Sequence, residues 1–361
     1  MTSQQSSVLS DSASSGADET VAVPRVITLG TAGGPRWWRD QIGRPRFGIA
    51  TAIVLGEDWY LVDCGTGAFF QAAAAGLDLA RLRGVFLTHL HSDHVVDLAS
   101  LLLFAPIHFR GREVPPVPII GPGDRGKLPP VASSAASTPQ PVAPDNPTPG
   151  TRGLVDGLVR AYATDLNDRI FDSLVPTPDA LLQVAEIAIP AEVGFDPNDA
   201  VAPPMEPLVV FSDEQVVVSA TLVSHHPTAP AYAFRFDLAG VSVTISGDTA
   251  PCDNLVRLAR GTDLLLHEAI AIEQMERTHD SSPAQRAAMA HHRRAHTTPA
   301  EAGEIAERAG ARRLALHHLV PAWAPEEAWQ QARSTYSGEL LVPDDGETVE
   351  LAVRGAGEVR R

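Results

Sequence analysis

The chain has 361 residues, 44% of them hydrophobic, and 44 acidic against 28 basic side chains give a formal charge of −16. Such a length allows one large domain or two ordinary ones. No apolar run reaches the roughly 18 residues of a membrane span, and the acidic field opposes polyanions wherever no basic patch overrides it. Two cysteines, Cys64 and Cys252, exclude a disulfide framework and a cysteine zinc site, and reduced thiols point to the cytoplasm.

Residues 1–24 are Ser-, Ala-, Asp- and Gln-rich, with no basic start and no apolar core. They read as a disordered tail rather than a secretory signal, ahead of a single domain over 25–361. Arg25–Leu29 alternates as a strand and ends in the turn 30–35, which lacks dinucleotide-cradle spacing. Ala50–Leu55 and Trp59–Val62 predict a hairpin closed at residues 56–58. A helix over 68–75 and a strand over 84–87 follow. The next helix starts near Ser92 and Asp93, runs through Phe104, and is expected to stop at Pro106.

Over about 114–206 the composition turns to Pro, Ala, Ser and Gly, without periodicity in 131–150. This reads as an insertion holding one helix, 154–168. Strands resume at 208–211, 215–223, 232–237 and 241–246. Helices at 255–260, 299–309 and 326–333 then alternate with strands at 264–266 and 314–316. Strands in both halves, each followed by helices, predict an α/β layered sandwich.

The chemistry is concentrated in Thr88-His89-Leu90-His91-Ser92-Asp93-His94, an H-x-H-x-D-H run where an apolar strand meets a helix start. His89 and His91 lie two apart on extended chain and point the same way. Asp93 and His94 open the helix, where a carboxylate is electrostatically favoured. Three imidazoles and one carboxylate in six residues make a poor core and a good metal site. One tetrahedral ion cannot take them all, so further ligands come from later strand ends: His225-His226, Ser246-Gly247-Asp248-Thr249 and His317-His318. Strand alternation sends neighbours to opposite faces, leaving one ligand in each histidine pair. His108, His291 and His292 match no motif and read as surface or structural. The basic runs 36–46, interleaved with Trp37 and Trp38, and 291–294 read mainly as solvated surface.

This set (H-x-H-x-D-H, a histidine before the aromatic strand 231–235, S-G-D-T, and L-x-L-x-H) resembles the metallo-β-lactamase superfamily. Leu266-His267-Glu268-Ala269 and His296-Thr297-Thr298 are similar to its ribonuclease Z and arylsulfatase branch. The resemblance spans about 25–321 and is weakest in the Pro-rich region. It implies a four-layer αββα sandwich with two zinc ions at its edge, manganese or iron being the alternative metals. It also implies that His89, His91 and His225 hold one ion, that Asp93, His94 and His318 hold the other, and that Asp248 bridges both. Its spacing selects His225 over His226 and His318 over His317.

Two cations lower the pKa of a shared water, so hydroxide is available near neutrality. Asp93 would orient it or take its proton, and His296, helped by Glu268, would protonate the leaving group. Support of neighbouring ligands is the competing role for Glu268 and His296. Asp63 is expected to brace the ligand loop. The absence of a second histidine after His267-Glu268 excludes an H-E-x-x-H protease.

The leading expectation is hydrolysis of a small phosphodiester or sulfate ester. The transfer-RNA 3′-processing endonuclease ranks second because the net charge disfavours nucleic acid. A lactone or lactam hydrolase and a non-catalytic metal-binding sensor are the further alternatives. No membrane partner is expected, and a homodimer is one option for assembly.

Overall fold

The computed structural model describes residues 23–109, 115–132, 135, 137–278 and 282–352. Of the expected tail, only Val23 and Pro24 fall within this range.

The first half of the chain supplies β1 (Arg25–Gly30), β2 (Ala50–Leu55), β3 (Asp58–Val62), β4 (Leu82–Phe86), β5 (Val117–Pro122) and β6 (Leu182–Ile187). The second half supplies β7 (Leu208–Ser212), β8 (Val216–Leu222), β9 (Tyr232–Leu238), β10 (Val241–Ile245), β11 (Leu264–Ile270), β12 (Arg313–Val320) and β13 (Glu339–Leu341). A last strand, β14 (Glu347–Glu350), crosses back to pair antiparallel with β1. Two seven-stranded sheets result, in the orders β14-β1-β2-β3-β4-β5-β6 and β13-β12-β11-β10-β9-β8-β7. In each, strands are antiparallel toward one edge and parallel toward the other: β3 through β6 in the first, β10 through β13 in the second.

Alternation along the parallel strands accounts for the layers. On β4, Phe86 points between the sheets, with ring centroids 5.0 Å from Phe236 and 5.7 Å from Phe234. Its neighbours Val85 and Leu87 point outward, into a cluster with Leu98, Leu101 and Leu102 of the helix Leu98–His108. On β11, Leu264 and Leu266 face the inter-sheet core, whereas Leu265 packs outward with Ile305 and Ala306 of the helix Pro299–Ala309. Helix, sheet, sheet, helix is the four-layer αββα sandwich.

Three expectations are corrected. Pro106 lies inside the helix Leu98–His108 instead of ending it. Its side chain is buried with Leu101, Leu102 and Ala105, and this packing outweighs the loss of one backbone donor. The helix expected over 154–168 is two, Thr151–Ala161 and Ala163–Ser173, broken at Tyr162. The segment 114–206 is not simply an insertion. It contributes β5 and β6, which extend the first sheet in parallel beyond β4. Their apolar runs are too short to stand out from the surrounding proline.

Candidate metal centre

The centre lies where β3, β4, β8, β10, β11 and β12 release their C-terminal loops, the end at which parallel sheets collect chemistry. After β3, Asp63 takes a left-handed backbone (φ 58°) and sends its carboxylate beneath the loop 88–94. It accepts from the Thr88 amide at 2.8 Å and the Thr88 hydroxyl at 2.8 Å, and it meets His94 Nδ1 at 2.8 Å. His94 Nδ1 thereby carries a proton toward Asp63, and Nε2 faces the centre, where burial is outweighed by the surrounding carboxylates, which hold the ring above its usual pKa.

Asp248 stands at the middle, 3% exposed, with a different set of groups around each oxygen. Oδ2 lies 3.9 Å from His89 Nε2 and 3.8 Å from His225 Nε2, and His225 Nε2 is 3.2 Å from His91 Nδ1. Oδ1 lies 3.4 Å from His94 Nε2 and 3.3 Å from His318 Nε2. Asp93 Oδ2 closes this second group, 3.4 Å from His318 Nε2 and 3.6 Å from His94 Nε2. Two metal-competent sets result, His89–His91–His225–Asp248 and Asp93–His94–His318, each with its donor atoms within 4.8 Å of one another.

The residues themselves test whether cations fit. His89 Nε2, His94 Nε2 and Asp248 Oδ1 are buried and have no hydrogen-bond partner among the described residues. Leaving such groups unsatisfied costs about 1–3 kcal/mol each, a cost that a cation between them removes. Burial, and then the neighbouring imidazoles, hold His89 well below its usual pKa. Burial likewise outweighs the Asp248 charge at His225. Both rings are therefore neutral donors. Burial opposes ionisation of Asp248, but His318 and His94 prevail and keep it a carboxylate.

Backbone geometry makes room for the set. Gly33 passes so close to His318 that a Cβ there would lie 2.3 Å from the ring. Gly247 (φ 59°) aims Asp248 inward, and a Cβ there would meet the Tyr232 carbonyl at 2.6 Å. His225 Nδ1 donates to the Ala295 carbonyl at 3.0 Å, which turns Nε2 toward Asp248. In the histidine pairs, His225 and His318 face the centre. His226 is half-buried near Arg125 and Arg294, and His317 is buried beside His267 and His318; neither belongs to a donor set among the described residues.

Glu268 accepts from the Thr249 amide at 2.6 Å and holds His296 Nδ1 at 2.9 Å, so it ties the Asp248 loop to that imidazole. Burial pulls the His296 pKa down, but the Glu268 and Asp248 carboxylates outweigh it and raise the pKa to about 9. His296, Asp93, Asp248 and His318 all face a cavity of about 410 Å3. His291 and His292, expected to be surface or structural, are half-buried, line this cavity and cluster with His296. The signal available was their position one helical turn before His296, at the end of the helix Pro283–Ala295.

The fold and the buried His/Asp donor sets are those of a metal-dependent enzyme, and comparison places the chain in a family. A family model described as the metallo-beta-lactamase superfamily matches residues 43–283, and the chain belongs to that superfamily. It is a metal-dependent hydrolase acting on ester bonds. Over 313 residues it is 31% identical to ribonuclease Z of Mycobacterium bovis (strain BCG / Pasteur 1173P2), covering 86% of this chain and 94% of the relative. The short form of human tRNase Z matches with a TM-score of 0.57 at 21% identity, covering 91% of this chain and 100% of that one. Zn(2+)-bound PqqB from Methylobacterium extorquens matches with a TM-score of 0.52 at 16% identity, covering 91% and 100%. The two structural likenesses bear on the fold alone. No helix among the described residues is long and apolar enough to cross a membrane.

Proposed function

We propose that the protein is a two-zinc phosphodiesterase of the ribonuclease Z type, cleaving precursor transfer RNA to release its 3′ trailer. The observation that carries the two-ion reading is the division of donors around Asp248, with His89 and His225 near Oδ2 and His91 beside His225, and with His94 and His318 near Oδ1 and Asp93 beside them. The substrate rests on the near full-length relative at 31% identity. This ranking reverses the one drawn from net charge, which put a small ester first. A charge of −16 is a sum over the whole surface, whereas a phosphodiester at the centre meets the field of the local ions.

When bound, the two cations acidify water and polarise the scissile phosphoryl group. His89, His91 and His225 would hold one ion, Asp93, His94 and His318 the other, and Asp248 both. All-nitrogen and oxygen donors suit zinc. Asp93 Oδ2 accepts from the Gly34 amide at 2.8 Å, which fixes the carboxylate where it receives the proton of the attacking water. His296, kept protonated by Glu268, donates to the departing oxygen. The test is incubation of the zinc-loaded protein with precursor transfer RNA at physiological salt. A single cut at the 3′ trailer junction is expected, and failure to cut while small phosphodiesters are hydrolysed would return the small ester to first place.

A further inference from the structure

The cavity above the donor sets has walls of a different chemistry from its floor. The floor is Asp93, Asp248, His91 and His318. Part of the wall is apolar, formed by Trp38, Trp323, Ile270, Met275 and Val320, and the histidines at the end of the helix Pro283–Ala295 complete it. Trp38 is pinned by its indole N–H to the Gly33 carbonyl at 2.5 Å and packs on the buried Ile270–Met275–Val320 cluster. The guanidinium of Arg36 lies over the Trp38 ring, 5.6 Å from its centroid, and also borders the cavity. Arg44 and Arg46, by contrast, are paired with Asp40 and Asp344. Trp323 enters from the segment that follows β12, a few residues past His318.

A cavity that received only a phosphate would gain nothing from two half-buried indoles. The exposed part of Trp323, and the Arg36 guanidinium that Trp38 backs, are flat surfaces bordering the recess that a flat group would cover. Indole and guanidinium planes are the surfaces on which unpaired nucleobases stack. A volume of about 410 Å3 suits one nucleotide-sized group rather than a length of helix. Resting on the phosphodiesterase reading above, we infer that this cavity seats a single nucleobase, unstacked from its neighbours, beside the scissile phosphate, with Trp323 and the Arg36 guanidinium, backed by Trp38, as its stacking planes. The protein thus selects a phosphodiester flanked by an unpaired base, and a paired or absent base at that nucleotide is rejected.

The test is calorimetric titration of the zinc-loaded full chain with adenosine 5′-monophosphate and with ribose 5-phosphate, which share the phosphate and differ by the base. The nucleotide is expected to bind about tenfold tighter or more, the scale of one base–aromatic stack. W323A and W38A should each remove most of that advantage without changing ribose 5-phosphate binding, and W323F and W38F should keep it. Equal affinity of the two ligands for the unaltered protein, which needs no variant to fold, overturns the inference; so does an advantage that survives both alanine variants. Loss of precursor RNA cleavage with base preference intact would defeat the proposed function alone, whereas cleavage without base preference would defeat the base seat alone.

Discussion

Asp63 Oδ2 lies 2.8 Å from His94 Nδ1, and the same carboxylate receives the Thr88 amide at 2.8 Å. One buried side chain therefore fixes both the rotation of a metal-facing imidazole and the path of the loop carrying His89, His91 and Asp93. Replacing Asp63 by Asn keeps the size but removes the charge that sets the His94 tautomer. Zinc affinity is expected to fall about 10–100-fold, measured by competition with a chromogenic chelator, while the circular dichroism of the fold is retained. Unchanged affinity would show that Asp63 is only a loop anchor.

His225 and His226 are neighbours with opposite surroundings. His225→Ala should lose metal from the site on the Oδ2 side of Asp248, and His226→Ala should keep it, as read by metal analysis of the purified variants. The same contrast is expected for His318→Ala against His317→Ala at the Oδ1 side. His317 is buried, so its variant should lose stability rather than metal.

The Glu268–His296 pair predicts a basic limb in the pH–rate profile. His296 is raised to about 9, so its acid form is nearly complete at pH 7 and is lost as pH rises through 9. Glu268→Gln removes the charge that raises it, and the limb should move to lower pH. His296→Ala should slow substrates with poor leaving groups far more than nitrophenyl esters, because only the former need the proton. Equal loss on both classes would assign His296 a supporting role.

Phe86 is the inter-sheet keystone, with three phenylalanine rings within 5.7 Å between centroids. Phe86→Ala should cost about 3–5 kcal/mol of stability, measured by urea denaturation. It sits only three residues before His89, so metal content should fall with it.

The H-x-H-x-D-H run was legible because its spacing carries geometry: two histidines on one side of an extended segment, then a carboxylate at a helix start. The αββα layering was legible from strands and helices recurring in both halves. β5 and β6 were not, because their pairing is with β4 and with each other, and that long-range register leaves only short apolar runs amid proline. The place of His291 and His292 was hidden for a similar reason. Nothing local says that the helix Pro283–Ala295 ends over the cavity. The choice of His225 and His318 within their pairs needed the family spacing, since alternation alone leaves either member open. The substrate ranking changes with the near full-length relative, since total charge does not describe the local field at the centre.

The account turns on Asp248 serving two ions at once. Elemental analysis of the purified, active protein measures this directly. Two zinc ions per chain are expected, falling toward one or none in Asp248→Ala. Full activity with a single ion per chain, or with none, would contradict the account.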